Sequence, residues 1–368
     1  MTMNEVTTPP KLSPASSVIQ TLCKSSSIET TTSTRLYGLE NDWKGELWDE
    51  KLESLPAIQS SFVEDAIATA SLGTFFTFLL LLPFFYIPYL LCYRTLFQQN
   101  PWAALILCVS WSTVILRAEP WPAWIHFKMW HYWQKYFGFH ILQVGNLEPK
   151  KLYFFIEEPH GLFSMGQWLS NVYVDDVFPG LRLKGLVSSS IFCLPIVRHI
   201  WGWFGCVPAT AEQITRVTPE YSIALIPGGV RELFLTNASA KDKEELYLRS
   251  RFGFVREAII HGAALVPVFH FGNTQLFHLV AHKWLCKLSR RTGLGFFLFY
   301  GRWFLPVPFK RRLTMVVGEA VPVTQNPAPS EEQIRETHAR FVCCLQSVFE
   351  RFKSVHGDGY ESKQLIIV

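Results

Sequence analysis

An α/β fold, a layered sheet flanked by helices with a membrane-embedded helical hairpin ahead of it, is what this sequence predicts. Two observations carry the prediction. Ala66 to Tyr93 contains no charged residue, and beyond Arg94 a second run, Trp102 to Leu116, is uncharged up to Arg117. From Lys151 onward, short strand-like pieces alternate with helix-like ones, the pattern of strands layered against helices. Composition agrees. The chain is 49% hydrophobic and only 17% charged, with a mean hydropathy of +0.16, which leans towards a membrane. Its 13 Trp favour places with one apolar and one wet side. The net charge of +4 suits an anionic surface or a phosphorylated substrate and is too weak to argue for nucleic acid.

Each element follows in order. Met1 to about Arg35 is rich in Ser and Thr, holds Pro9, Pro10 and Pro14, and has no apolar periodicity, so 1–60 is expected to be a disordered tail. It lacks the apolar core of a secretory signal, and its scarcity of Arg argues against a plastid transit peptide. Residues 61–117 are the hairpin. A spanning helix needs about 20 apolar residues, and the first run is long enough. Pro83 and Pro88 are expected to kink it, which favours a hairpin embedded from one face over two spans or a pair of buried core helices. Glu119–Phe137, mixing Trp, Tyr, His and Lys, reads as a segment lying at headgroup level.

The main domain is expected over 118–360, with a tail over 361–368. Strands are read at 152–157, 181–188, 221–227, 263–271 and 314–323, and helices at 161–173, 248–262 and 330–353. Ser330 and Gln333 have capping-box spacing at the start of the last helix, which should stop near Gly357. The 8 cysteines show no C-x-x-C and sit in apolar runs, so they read as reduced thiols.

The chemistry concentrates where strands end. In "YFFIEEPHGLFSMG" (153–166) a strand stops at Glu157-Glu158, Pro159 forces a turn, and Gly161 lets backbone approach a ligand. A helix follows, so His160 stands near a helix N-terminus, where it can take a proton from an attacking hydroxyl. The bland reading is a turn histidine with a hydrogen-bonded ring. In "IPGGVREL" (226–233) a second strand ends in a Gly228-Gly229 turn followed by Arg231 and Glu232. Ligands collect outside the carboxyl ends of strands in α/β sheets, so the two turns are expected to face one site. Arg249 and Arg251 suit phosphate, or else flank a helix in solvent, and Phe269 and Phe271 wall an acyl channel or belong to the core.

"EPHG" (158–161), "PGGVRE" (227–232), "RSRFGF" (249–254), "FHFGNT" (269–274) and "VVGEAVPV" (316–323) resemble, in order and rough spacing from about Trp130 to Gly357, the blocks of the type-2 diacylglycerol acyltransferase family. That family includes monoacylglycerol and wax-alcohol acyltransferases. The resemblance implies a glycerolipid-acyltransferase-like domain, membrane-bound at the endoplasmic reticulum with its catalytic domain facing the cytosol, and found also at lipid droplets. It implies acyl-CoA as co-substrate, no further cofactor and no metal, and diacylglycerol as acceptor. The partners it implies are acyl-CoA, diacylglycerol, the bilayer and, as an option, a second copy in a homo-oligomer, with no nucleic acid. The match makes His160 the general base, with either Glu158 or Glu232 orienting its ring and Glu232 preferred. N–H donors near the tetrahedral oxyanion would supply on the order of 3 kcal/mol each. Substrate contacts are expected at Pro159, Gly161, Gly228, Gly229, Arg231, Arg249, Arg251, Phe271, Gly272 and Asn273.

Two departures stand out. Glu158 occupies the place of the first His in the family's common His-Pro-His-Gly, as in plant-like members, and Phe252 stands where Lys is often found. The Asp that glycerol-phosphate acyltransferases carry five residues after their histidine is Met165 here, so that His–Asp pair is absent. A serine hydrolase is disfavoured because Ser164, between Gly161 and Gly166, has the wrong spacing. A metal enzyme is disfavoured because no H-E-x-x-H or cysteine pair accompanies His278 and His282. Asn237-Ala-Ser239 matches a glycosylation acceptor, expected to stay unmodified in the cytosol. A chain that keeps the fold and has lost turnover, a non-catalytic lipid-droplet protein, is the reading from another class.

Overall fold

The computed structural model describes residues 33–38, 46–47, 55, 60–99, 118–235, 242–280, 283–292 and 297–368. The second apolar run, His282 and the Asn237 acceptor lie outside them. Among the described residues the strands are β1 (Thr34–Tyr37), β2 (Glu46–Leu47), β3 (His140–Val144), β4 (Tyr153–Glu158), β5 (Leu183–Val187), β6 (Val207–Pro208), β7 (Ser222–Leu225), β8 (Lys243–Leu246), β9 (Ala264–Phe271), β10 (His278–Val280), β11 (Leu298–Tyr300), β12 (Thr314–Val317) and β13 (Gln364–Ile367). The principal helices are α1 (Phe62–Gln99), α2 (Met129–Phe137), α3 (Met165–Val172), α4 (Val197–Trp203), α5 (Val230–Leu233), α6 (Gly253–His261), α7 (Lys283–Thr292) and α8 (Glu331–His356).

Nine strands form one sheet in the order β2-β1-β3-β12-β9-β4-β7-β5-β6. From β9 to β6 it is parallel. In a parallel run all carboxyl ends lie along one edge. Ile156 of β4 pairs with Leu225 of β7, so the turns that begin two residues later, at Glu158 and Pro227, emerge side by side. All five strands expected from sequence are present.

Strand alternation divides the core in two. Phe154 and Ile156, with Phe269 and Phe271 of β9, pack against α6 and α8 through Phe254, Phe341 and Phe349. Tyr153 and Phe155, with Val266 and Val268, face α1, α2 and α3. Burying one such Phe contributes about 2 kcal/mol, so each face is held by many similar contributions. Ser330 Oγ accepts from Gln333 N at 3.1 Å, making half of the expected capping box. The Gln333 side-chain Oε1 instead accepts from Asn326 Nδ2 at 2.8 Å. The helix ends at Gly357 as read.

Several expectations change. The first apolar run is part of a single helix that continues through Pro83 and Pro88 to Gln99. At 38 residues it is about 57 Å long. Its stretch Phe62–Leu81 is, among the described residues, the one long and apolar enough to cross a membrane. Its first half also belongs to the domain: Ala68, Leu72 and Phe76, four apart, are fully buried. Trp133 Nε1 donates to Ser71 Oγ at 2.9 Å and Lys135 pairs with Glu64 at 2.7 Å. Of the segment expected at headgroup level, the second half is core, with Trp130, Trp133, Tyr136 and Phe137 of α2 buried beside α1, whereas Trp121 and Phe127 in its first half are exposed.

Within 1–60, Thr34–Tyr37 pairs antiparallel with β3 and sends Leu36 and Tyr37 into opposite cores. Within 361–368, Gln364–Ile367 pairs in parallel with β8. Both strands have only four residues, too few for apolar periodicity to register. Cys193, Cys206, Cys286 and Cys344 are free thiols, whereas Cys343 is in a disulfide, against the reading of reduced thiols throughout.

Candidate active site

His160 is the second residue beyond β4. Its ring Nδ1 lies 2.9 Å from the Gly161 carbonyl oxygen. A carbonyl only accepts, so Nδ1 carries the proton and the Nε2 lone pair is free to take one. Burial holds the imidazolium below the usual histidine range, so the ring is neutral near pH 7. Gly161 has φ +64°, and a Cβ there would stand 2.6 Å from the Asn273 carbonyl oxygen. No other residue fits this turn without moving backbone.

The carboxylates take different places from those expected. Neither Glu158 nor Glu232 reaches the ring. Glu232 Oε1 accepts the His160 backbone N–H at 2.7 Å, so it fixes the main chain that carries the imidazole, while the Gly161 carbonyl orients the ring. Glu158 and Glu232 are 0% and 1% exposed and meet each other at the ends of their turns. Burial first, and the Glu232 charge second, push Glu158 well above the usual carboxylate range. Burial also raises Glu232, while hydrogen bonds from Glu158 and the His160 amide oppose that rise. The consistent arrangement is a protonated Glu158 donating to an ionised Glu232. The double glycine serves two purposes. A Cβ on Gly228 would collide with the Glu232 carboxylate at 1.6 Å. Gly229 has open space but adopts φ 58°, ψ −149°, a region almost confined to glycine.

Asn273, expected to touch substrate, clasps the His160 turn. Its Nδ2 donates to the carbonyls of Pro159 (3.0 Å) and His160 (3.1 Å) and to Gln167 Oε1 (2.9 Å), and its Oδ1 accepts from Gly166 N (3.1 Å). Gln167 Nε2 adds a 3.4 Å contact to the Pro159 carbonyl. Pro159, also expected to touch substrate, is buried with its carbonyl in this clasp. Gly272 has its N–H on Tyr360 Oη at 3.1 Å and its backbone against Arg312. Phe271 is fully buried against Phe349 and His356, in the α8 core rather than in a channel.

The basic residues gather around a ring not singled out in the sequence. Arg251 Nη2 donates to the Gly228 carbonyl at 3.2 Å, and its guanidinium stands 4.9 Å from the centre of Tyr247. Arg231 is exposed, donates to Tyr247 Oη, and lies 5.3 Å from the same ring. Two guanidinium groups thus share one tyrosine at the mouth of the Gly228-Gly229 turn. Arg249 is exposed nearby in sequence, with its backbone N–H on the Val368 carbonyl at 3.0 Å.

On the other sheet face is a cavity of about 80 Å³, bordered by Glu157, Ser164, Gln167, Trp168, Ala224 and Cys206. Burial pushes the Cys206 thiol up to about 12, so it is an inert part of the wall. Gln167 joins this cavity to the His160 turn. Its signal in the sequence is slight: a polar side chain seven residues after His160, on a helix that also carries Ser170 and Asn171.

The sequence profile of the family described as diacylglycerol acyltransferase matches residues 94–367. Among similar proteins is diacylglycerol O-acyltransferase 2A of Umbelopsis ramanniana, 30% identical over 287 residues, covering 69% of this chain and 79% of the relative. Human 2-acylglycerol O-acyltransferase 3 is 30% identical over 307 residues, covering 76% of this chain and 88% of the relative. A solved structure of the 1-acyl-sn-glycerophosphate acyltransferase PlsC from Thermotoga maritima aligns over 78% of this chain and 96% of its own with 14% identity. The TM-score of that alignment, 0.37, is too low to carry weight.

Proposed function

The chain belongs to the diacylglycerol acyltransferase family, and from that premise we propose that it is an acyl-CoA-dependent O-acyltransferase with His160 as general base. Nε2 takes the proton of an acceptor hydroxyl while its oxygen attacks the thioester carbonyl. The new C–O bond forms, the C–S bond breaks as the tetrahedral intermediate collapses, and the imidazolium returns its proton to the departing thiolate. No covalent enzyme intermediate is needed, because the thioester is already activated. The observation that carries this reading is the Nδ1 contact to Gly161, which fixes the tautomer that leaves Nε2 basic.

Other parts take supporting roles. Glu232 and Asn273 hold the backbone on either side of His160, and positioning of this kind accounts for much of an enzyme's rate. The Arg231–Tyr247–Arg251 cluster, with Arg249, suits the phosphates of CoA, since guanidinium binds phosphate in bidentate fashion. The cavity beside Gln167 suits part of an acyl chain. We place the enzyme in the endoplasmic reticulum membrane, with α1 in the bilayer and the site facing the cytosol.

Diacylglycerol is the proposed acceptor and triacylglycerol the product. The relatives named for diacylglycerol and for 2-acylglycerol match this chain at the same 30% identity, so monoacylglycerol and long-chain alcohols belong in the same test. The chain and its His160→Ala variant are expressed in cells lacking neutral-lipid synthesis. Their microsomes then receive labelled acyl-CoA with one acceptor at a time. Triacylglycerol from the parent and none from the variant, at equal protein level, is the expected outcome. Equal activity in both would overturn the role of His160. No ester from any acceptor would overturn the enzymatic reading in favour of a lipid-binding protein.

A further inference from the structure

Charge is distributed very unevenly along this chain. The 61 residues from Ala258 to Gly318 contain no Asp or Glu and eight Lys or Arg, while the remainder of the chain is net −4. Outside α1, the most exposed aromatic side chains among the described residues lie in the same stretch. In the turn Arg302–Phe304, between β11 and β12, Trp303 is 61% exposed, Phe304 83% and the following Leu305 52%.

The turn is built outward. Trp303 and Phe304 have φ of +55° and +59°, left-handed conformations that bulky residues seldom adopt. Phe304 stacks on Tyr300 of β11 at 5.3 Å, and the Arg302 guanidinium stands 4.2 Å from the Trp303 ring centre. In the β10–β11 ribbon, Val280 and Leu298 are paired directly opposite each other, and both are exposed. Lys310 and Arg311, both exposed, follow the turn and supply its basic side, while Arg312 is half-buried and donates to the Leu55 carbonyl.

This surface also continues from α1. Phe76 of α1 packs on Phe277 and Phe299, a Cβ on Gly73 would be 3.1 Å from Val307, and Lys310 pairs with Asp65 at the helix start. Farther along the same helix Phe78 and Leu81 are exposed. Aromatic tips, a basic rim and a neighbouring apolar helix together match the headgroup layer of an anionic bilayer. A protein partner would not account for the absence of acidic residues over the whole stretch.

We propose that Arg302–Leu305, with the β10–β11 ribbon beside it, is a second membrane contact, an aromatic wedge that enters the headgroup layer of an anionic bilayer. It rests on the reading of the chain as a membrane lipid enzyme and adds a point of attachment separate from α1. The wedge fixes the rotation of the domain about α1 and so the side from which lipid reaches the sheet edge.

The test uses the full chain reconstituted in phosphatidylcholine vesicles with and without phosphatidylserine. An environment-sensitive fluorophore is placed at Phe304→Cys, at Trp303→Cys as a second reporter, and at Glu336→Cys on α8 as a reference, with labelling of the parent chain subtracted. The expected result is blue-shifted emission and quenching by headgroup-level nitroxide lipid at 304 and 303 in the phosphatidylserine vesicles. Position 336 should stay water-like, and Lys310→Gln with Arg311→Gln should lower the quenching severalfold. Water-like emission at both 303 and 304 would overturn the proposal, and equal quenching with and without phosphatidylserine would overturn its anionic part. Carbonate extraction of the same vesicles reads the insertion of α1 separately. A wedge that fails while α1 stays inserted and ester is still formed leaves the proposed function standing.

Discussion

Two consecutive residues of β4 face opposite sides of the sheet and meet opposite conditions. Glu158 points to the α6–α8 side, where it meets Glu232, the Gly228 turn and the His160 backbone with no room to spare. Glu157 points to the α3 side and borders the cavity, with its carboxylate 3.7 Å from His270 Nε2, beyond hydrogen-bond length. On the proposed function, the tight side holds the base and the loose side has space for part of a substrate.

The sharpest way to break the comparison is to remove the base itself. His160→Ala should lower the turnover number by about 10²- to 10⁴-fold, the range for a positioned general base, with little change in melting temperature. Activity of the parent should fall as pH drops, with a midpoint below the ordinary histidine value of about 6.5 because burial lowers the pKa of His160. An acid limb above that value would contradict the buried, neutral imidazole. The measurement needs rapid return to pH 7. His140 and His356 are buried with pKa near 4 and 3, and the stability they contribute above the unfolded value of 6.5 is lost as pH falls towards those values.

Next in size is the tie to the backbone. Glu232→Ala leaves the His160 N–H without its acceptor and Glu158 without its partner, so turnover should drop about 10- to 100-fold and stability by about 1–3 kcal/mol. Asn273→Ala should behave alike, since one amide holds the Pro159 and His160 carbonyls together. In both variants a raised KM with unchanged turnover would mean the residues touch substrate instead. On the loose side, Ala224→Leu projects into the cavity and should displace about two methylenes of bound chain. At about 0.8 kcal/mol each, that is roughly a tenfold preference for shorter acyl-CoA. Equal chain selectivity before and after would assign the cavity to something other than the acyl tail.

Sequence reasoning reached this site unevenly. The five strands were long, apolar and bounded by glycine or proline, so they and the adjacency of the two turns could be read directly. His160 at the strand-to-helix break was equally legible. The exchange of roles among Glu158, Glu232 and the Gly161 carbonyl was not, because it depends on which lone pair faces which N–H across 72 residues of chain. Asn273 and Phe271 sit two apart in one motif, yet one clasps the turn and the other fills the α8 core. Motif spacing says nothing about the direction in which a side chain points. The aromatic run over α2 misled for the same reason: Trp is amphipathic, and burial under α1 suits it as well as a headgroup layer.

The smallest expected effect on rate is the most informative about the tight side. Glu158→Gln replaces a protonated carboxyl by an amide of the same shape. Its Nε2 can donate to Glu232 in place of the acid proton, so that contact of the neutral acid survives. Turnover should stay within about threefold of the parent, whereas replacing an ionised Glu158 would relieve its repulsion of Glu232 and change the charge at the turn. Stability separates the cases. Because the folded pKa of Glu158 is raised above its unfolded value of 4.5, its contribution is complete below 4.5 and is lost as pH rises through the raised folded value. The melting temperature of Glu158→Gln relative to the parent should therefore rise as pH climbs above 4.5, on top of the opposite trend that His140 and His356 give both proteins. Identical slopes in the two proteins would mean that the proton sits elsewhere, and that the two faces of β4 differ in space but not in charge.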